Sequence, residues 1–467
     1  MMKRPALLFM TAALVAAAAA TLGFSSAAGT DEKPRVDVSD ISFLWPVPNT
    51  QADVDALISA DTADGATSVA LWDETAFKRM LEIVTSDDAE IKHPNGASRR
   101  ITLLPEFRDR KNWKIVAFRA DPSAPGGHPS IVDKFGSTPQ LRLIVQPVTV
   151  EAGNVKVHDF TAHLVYSFFA PKDAPKPGFI PAANPDETKF RAILTDLVAL
   201  KTKLKAKGID TQGAPLGVHP GLKDSAGGAD FASDVRAFLT RHVNVKNLSA
   251  MAFMGLPDAS PEPWMFVAAV NTGDGTFAAG KVPAVGFKPA QMFDRRDGDP
   301  LVVPAPLPTN RNPITNFVGT PPDDRRGVAT FALFDPAVKL NGTARVNSSG
   351  AEVLDADGLT NGEIPDLIAN PEKTHFFSND CFSCHSESTR RAIMSLPPSA
   401  AFGYKRPDGV SGVDPKMLPS QLWNVRNLGW FPDFFNAGAT SPTVTQRTAN
   451  ETADCVQFIN RVYFGNP

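Results

Sequence analysis

Apolar positions along this chain fall into short periodic runs, separated by connectors rich in Pro, Gly and Asp. Glu74 to Val84 (ETAFKRMLEIV) has the three- and four-residue spacing of a short amphipathic helix. Trp113 to Arg119 (WKIVAFR), Gln140 to Val150 (QLRLIVQPVTV) and Asp159 to Phe169 (DFTAHLVYSFF) are rich in β-branched and aromatic residues, the pattern of half-buried strands. Pro171 to Pro185 reads as a connector. The clearest helix runs from Pro185 to Lys207, with Phe190, Ile193, Leu194, Leu197, Val198 and Leu204 in one stripe. Asn184 is the expected cap, Pro185 suits the first helical position, Glu187 can close a capping box, and Gly208 ends the helix. Lys201, Lys203, Lys205 and Lys207 crowd its C-terminal half. They read as a solvated face, with a docking patch as the alternative.

Farther along, Phe231 to Leu239 reads as helix, and Leu248 to Met254 and Trp264 to Val270 as strands. Leu104-Pro105 before Trp113 is echoed by Leu256-Pro257 before Trp264, so residues 29–345 read as an α+β module with two related halves, about 29–185 and 209–345. Pro289 to Pro322 is an extended excursion, Gly327 to Phe334 a further strand, and Asn450 to Val462 an amphipathic helix.

Composition sharpens this picture. Across 467 residues, 41 prolines and 33 glycines favour a loop-rich, strand-leaning protein over a helical bundle. Lys+Arg of 47 against Asp+Glu of 50 gives a formal charge of -3, which offers no basic surface for nucleic acid. Lys3 and Arg4, the uncharged stretch Ala6 to Phe24 and the small residues Ser25 to Gly29 have the layout of a secretory signal peptide. Residues 1–28 would then be removed after Ala27 or Ala28; an uncleaved anchor is the alternative. No later segment nears the eighteen apolar residues of a membrane span. The expectation is a soluble periplasmic protein with no stable membrane span.

Residues 29–345 carry no G-x-S-x-G, H-E-x-x-H or P-loop. His93, His128, His158, His163, His219 and His242 are scattered there and read as surface or hydrogen-bonded histidines. His158 and His163, five apart in one predicted strand, would face opposite ways. The chemistry concentrates in Cys381-Phe382-Ser383-Cys384-His385, a C-x-x-C-H sequence, the attachment signature of c-type haem. Cys381 and Cys384, three apart on one helical turn, can add to the two vinyl groups of one porphyrin edge, and His385 is then carried under the ring to bind iron. A thioredoxin-like pair has no use for the adjacent His, and zinc lacks a second ligand pair at matching spacing. Cys455, the remaining cysteine, reads as a small buried side chain, with a reactive thiol as the minority alternative.

On these residues, 346–467 resembles a class I c-type cytochrome domain: the motif lies near its start, and an amphipathic helix lies near its end. Leu422 to Phe431 (LWNVRNLGWF) also resembles the L-R-N-V stretch of bacterial dihaem peroxidases. The resemblance implies a small all-α domain with one covalent haem c, His385 as proximal ligand and a distal methionine. Met394 is close enough in sequence to stay on the proximal side, whereas Met417 follows enough loop to reach the other. Met417 is therefore the distal candidate, with His375 or a vacant site as alternatives. Arg426 and Trp430 could bond haem propionates, or could equally be a surface Arg and a core Trp. The implied function is electron transfer with a redox partner protein or a small-molecule donor or acceptor. A peroxidase- or oxygenase-type haem enzyme with an open distal site is the second expectation, and a binding module using haem as a structural staple the third.

Overall fold

The computed structural model describes residues 33–280 except 64–69, 86–89, 93–97, 101–102, 124–125, 130–131, 133–137, 169–185, 224, 244, 256–264 and 274. Beyond these it describes 344–346, 352–354, stretches between 366 and 418, and 427–466 without 433–438. The leader, the Pro171–Pro185 connector, the Pro-rich excursion, the Gly327–Phe334 strand, His93, His375, Cys381, Met394 and Arg426 lie outside the described residues.

Alternating side chains build an antiparallel sheet of eight strands: β1 (Ser42–Leu44), β2 (Trp113–Asp121), β3 (Gln140–Glu151), β4 (Asn154–Val157), β5 (Phe160–Ser167), β6 (Leu248–Gly255), β7 (Met265–Asn271) and β8 (Phe277–Gly280). Their order is β1-β2-β3-β5-β6-β7-β8, with β4 paired to β3 beside this path. Both expected halves contribute to this one sheet. Helix α1 (Glu74–Val84) matches its periodicity, and its N-cap Asp73 accepts from Thr75 N and Ala76 N. Helix α2 spans Glu187–Ala206 and starts later than expected, because the Asp186 carboxylate takes the capping role by accepting from Lys189 N. Helix α3 spans Ser225–His242. The lysines of α2 are not a free patch: Lys201 Nζ lies 2.7 Å from both Asp37 and Asp40, and Lys203 pairs with Asp234.

Because the side-chain period of a strand is two, register separates the sheet into two unlike faces. One carries Phe43, Phe118, Leu143, Leu164 and Phe253, all buried, and helix α3 covers part of it through Phe43–Phe231 and Phe118–Phe238 ring pairs. The other carries Ser42, Arg119, Asp121, Gln140, Arg142, Thr161 and His163, with a small apolar patch of Val165, Ala250 and Val270.

The polar face is covered by the C-terminal quarter. Helix α4 (Gln446–Phe458) runs along it: Arg119 bonds Glu451 at 3.5 Å, Cys455 Sγ donates to Asp121, and Ser42 meets Thr452. A Cβ on Gly127 would lie 3.0 Å from the Cys455 backbone, so a side chain there would push the helix away by a few tenths of an ångström. The antiparallel hairpin β9 (Leu428–Pro432) and β10 (Thr440–Val444) docks beside it. There the Gln146 amide exchanges two hydrogen bonds with the Trp430 backbone, and the Trp430 indole donates to Trp45 O. Trp430 is thus a core residue whose N–H is spent on the fold. Helix α4 covers most of the expected terminal helix and continues as one π turn, Ile459–Tyr463. The hairpin means that the described part of 346–467 is not built of helices alone. Residues 34–467 form one compact unit.

Candidate functional site

His385 sits on a backbone of helical conformation shared by Cys384, Glu387, Ser388 and Arg391. Buried polar pairs anchor this turn. Arg391 Nε donates to Glu387 Oε1 at 2.9 Å, and a second Arg391 nitrogen donates to Asp366. Ser388 Oγ donates to Glu387 Oε2 and accepts from Gln446 N, so the motif's helix is tied to the first residue of α4. Arg447 and Asn450 of α4 donate to the carbonyls of Ile368 and Ala369. Burial raises the Glu387 carboxyl above its usual range, and the adjacent Arg391 only partly offsets it.

The anchored turn places His385, 7 % exposed, against the polar face of the sheet, where its ring meets the ring of His163 from β5. The centroids are 6.4 Å apart with the planes 57° to one another. Cys384 is half-buried, and neither it nor Cys455 forms a disulfide. Met417 lies elsewhere among these elements, at the end of the short turn Pro415–Met417. It packs against the main core beside Gly217, next to the Leu216–Val413 bridge.

The histidines of the N-terminal region now separate by role. His219 is stacked on Phe43 at 4.2 Å and accepts from Gly221 N, and burial lowers its pKa to about 3. His158 lies just before β5, bonded to Thr149 at 2.8 Å, and burial takes its pKa down to about 4. His242 bonds Asp196 at 2.8 Å, and burial holds its pKa below the usual value despite that carboxylate. These three are structural. His163 differs from these three, because the fold brings its ring against that of His385. Sequence placed it correctly in a strand, and its alternation with Ala162 and Leu164 put it on one face; nothing local showed what covers that face.

Leftover polar atoms test whether these residues fit a covalently held haem. Thr161 Oγ1 and Arg142 Nε are buried and lack a hydrogen-bond partner. Thr161 precedes His163 by two on β5, and Arg142 is two residues from Ile144, the β3 residue opposite His163, so all three share a face. A haem brings carboxylates, and an Arg with an unspent N–H is a suited partner for one. The donor set is an imidazole at a C-x-x-C-H motif, a facing imidazole and a nearby cation, and it fits the group. Among the described residues, no cluster of three or more His, Cys, Asp or Glu suggests a metal ion held by side chains alone.

A second buried polar cluster lies farther along α4. Burial works against ionisation of Glu451, but Arg119, Arg447 and Arg142 outweigh it and hold the carboxyl below its usual range. Burial, reinforced by Asp121, pushes the Cys455 thiol well above the ordinary value. This cluster is the joint between α4 and the sheet. Among the described residues, no helix is long and apolar enough to cross a membrane. No family model matches the chain, and comparison with curated proteins and with solved structures gives no match either.

Proposed function

We propose that this chain is an exported monohaem c-type cytochrome that carries electrons in the periplasm. Cys381 and Cys384 hold the haem through thioethers, and His385 is its proximal ligand. The observation that carries the reading is the C-x-x-C-H histidine, buried on an anchored helical turn and aimed at a sheet face where Thr161 and Arg142 keep unspent polar atoms. Bound there, haem supplies a one-electron Fe(II)/Fe(III) couple. The protein's part is to fix the imidazole and keep water out. The Glu387–Arg391–Asp366 network and the Ser388–Gln446 bond keep the His385 turn from shifting, so little rearrangement accompanies a change of charge nearby. Partners are a redox protein or a small-molecule donor or acceptor.

The test is the full-length exported protein. Haem that stays with the polypeptide on a denaturing gel, with a sharp c-type α band after dithionite, is the expected result. A colourless chain, or haem that leaves on denaturation, ends the reading. Cys381→Ser and Cys384→Ser together should abolish covalent retention.

A further inference from the structure

We infer that His163, from strand β5 of the sheet, is the second axial ligand of the haem. The inference rests on the haem reading above and replaces Met417 as the distal candidate. Three observations carry it.

The first is separation. An imidazole nitrogen binds a transition metal at about 2.0–2.1 Å, and the ring centre lies roughly 1.1 Å behind it, so two imidazoles on opposite sides of one iron have centres about 6.3 Å apart. The His163 and His385 centroids are 6.4 Å apart. Their 57° tilt suits an axial pair, since each ring is free to turn about its own metal–nitrogen bond. Packed aromatic rings also span such distances, so the number alone does not decide.

The second observation is the setting. Two buried imidazoles in direct contact would leave Thr161 Oγ1 and the Arg142 Nε–H buried beside them without a partner, at a cost of about 1–3 kcal/mol each. A haem between the rings brings polar and anionic groups to this face.

The third is rigidity. β5 lies inside the sheet, paired on both edges, with Ile144 and Ala252 opposite His163. The His385 turn is anchored to α4, and α4 to the same sheet through Arg119–Glu451 and Cys455–Asp121. The two imidazoles are thus held by one framework. Met417 packs with Gly217 and the core, and among the described residues the ring facing His385 is that of His163.

The consequence is a bis-imidazole iron, low spin in both states, with a potential below that of a His/Met cytochrome, because methionine ligation raises it. The near-infrared and EPR spectra of the unmodified ferric protein should show two nitrogen ligands and no methionine-to-iron charge-transfer band. A methionine band or a high-spin ferric spectrum overturns the inference while leaving the haem reading intact. His163→Ala should keep covalent haem but lose the low-spin signal, and added imidazole should restore it. His163→Met should raise the potential, and Met417→Ala should change neither spectrum nor potential. A His163→Ala protein that keeps the wild-type spectrum sinks the assignment. If that variant fails to fold, the His163→Met protein decides, since its ferric spectrum should gain a methionine-to-iron charge-transfer band and an unchanged bis-imidazole spectrum sinks the assignment. A wild-type chain with no haem defeats the parent reading instead.

Discussion

Asp454 shows at the level of one side chain what the C-terminal helix tolerates in order to lie on the sheet. Its side chain is buried, the Tyr404 hydroxyl donates to one carboxylate oxygen, and the other oxygen has no partner. Burial raises its pKa to about 7 from an ordinary 3.8, with the Tyr404 bond only partly offsetting it. Between those values the folded chain holds a proton that the unfolded chain releases, so stability falls as pH rises through this window and levels off above it. Asp454→Asn should therefore match wild type near pH 4 and be more stable near pH 8, by on the order of 2–4 kcal/mol. Urea titrations at the two pH values check this; an equal effect at both contradicts it. The next residue, Cys455, is fully buried with its thiol pKa pushed up. It should resist maleimide in the native protein and react fully in denaturant; stoichiometric native labelling would show that the helix end opens. The same scale explains why His163 passed as ordinary in the sequence. A lone His in an alternating strand looks alike whether water, a carbonyl or a metal faces it, and the facing group comes from a residue 222 positions later. His385 was legible because its two cysteines are its neighbours in the chain.

Elements were readable where local chemistry fixes them. Helix α1 follows from its spacing and Asp73, and β2, β3 and β5 follow from alternation to within two residues at either end. Helix α2 begins later than expected because two capping solutions competed, Asn184 with Pro185 or Asp186, and the carboxylate that reaches Lys189 N prevailed. The hairpin β9–β10 was missed since its reason is remote: the Gln146 side chain acts toward Trp430 as a neighbouring strand would. The His385 turn depends equally on a remote neighbour and on a buried pair. Replacing Arg391 with Met leaves Glu387 and Asp366 without their cation, which should cost about 3–5 kcal/mol at neutral pH. That cost should shrink on acidification, because Glu387 already has a raised pKa and readily takes a proton. A loss independent of pH would mean that packing, not charge, makes Arg391 necessary.

Over the whole molecule, the sequence suggested two modules in series, since the C-x-x-C-H motif and the resemblance to a c-type cytochrome domain are confined to residues 346–467. The packing joins them. Arg119, Asp121, Gln146 and His163 of the sheet each meet a residue beyond 380. Near the end of the chain, Asn460 exchanges two hydrogen bonds with the Val36 backbone, and Arg191 of α2 donates to Tyr463 O while lying over its ring. The polar face of the sheet and the C-terminal quarter share buried bonds, Arg119 with Glu451, Asp121 with Cys455 and Gln146 with Trp430, so separating the two gives up each of these contacts. Among the described residues of the C-terminal quarter, Trp430, Val444, Cys455 and Ile459 belong to the same apolar cluster as Phe118 and Phe160 of the sheet. Unfolding by guanidinium should therefore be one transition, with the far-ultraviolet circular dichroism of the sheet and, on the proposed haem reading, the haem band coinciding. Asn460→Ala should shift both midpoints together. Two separated transitions, with haem released from its ligands before the sheet melts, would show that the quarter folds as a domain of its own. In that case a distal ligand supplied by the sheet would require the two domains to be docked before the low-spin spectrum appears.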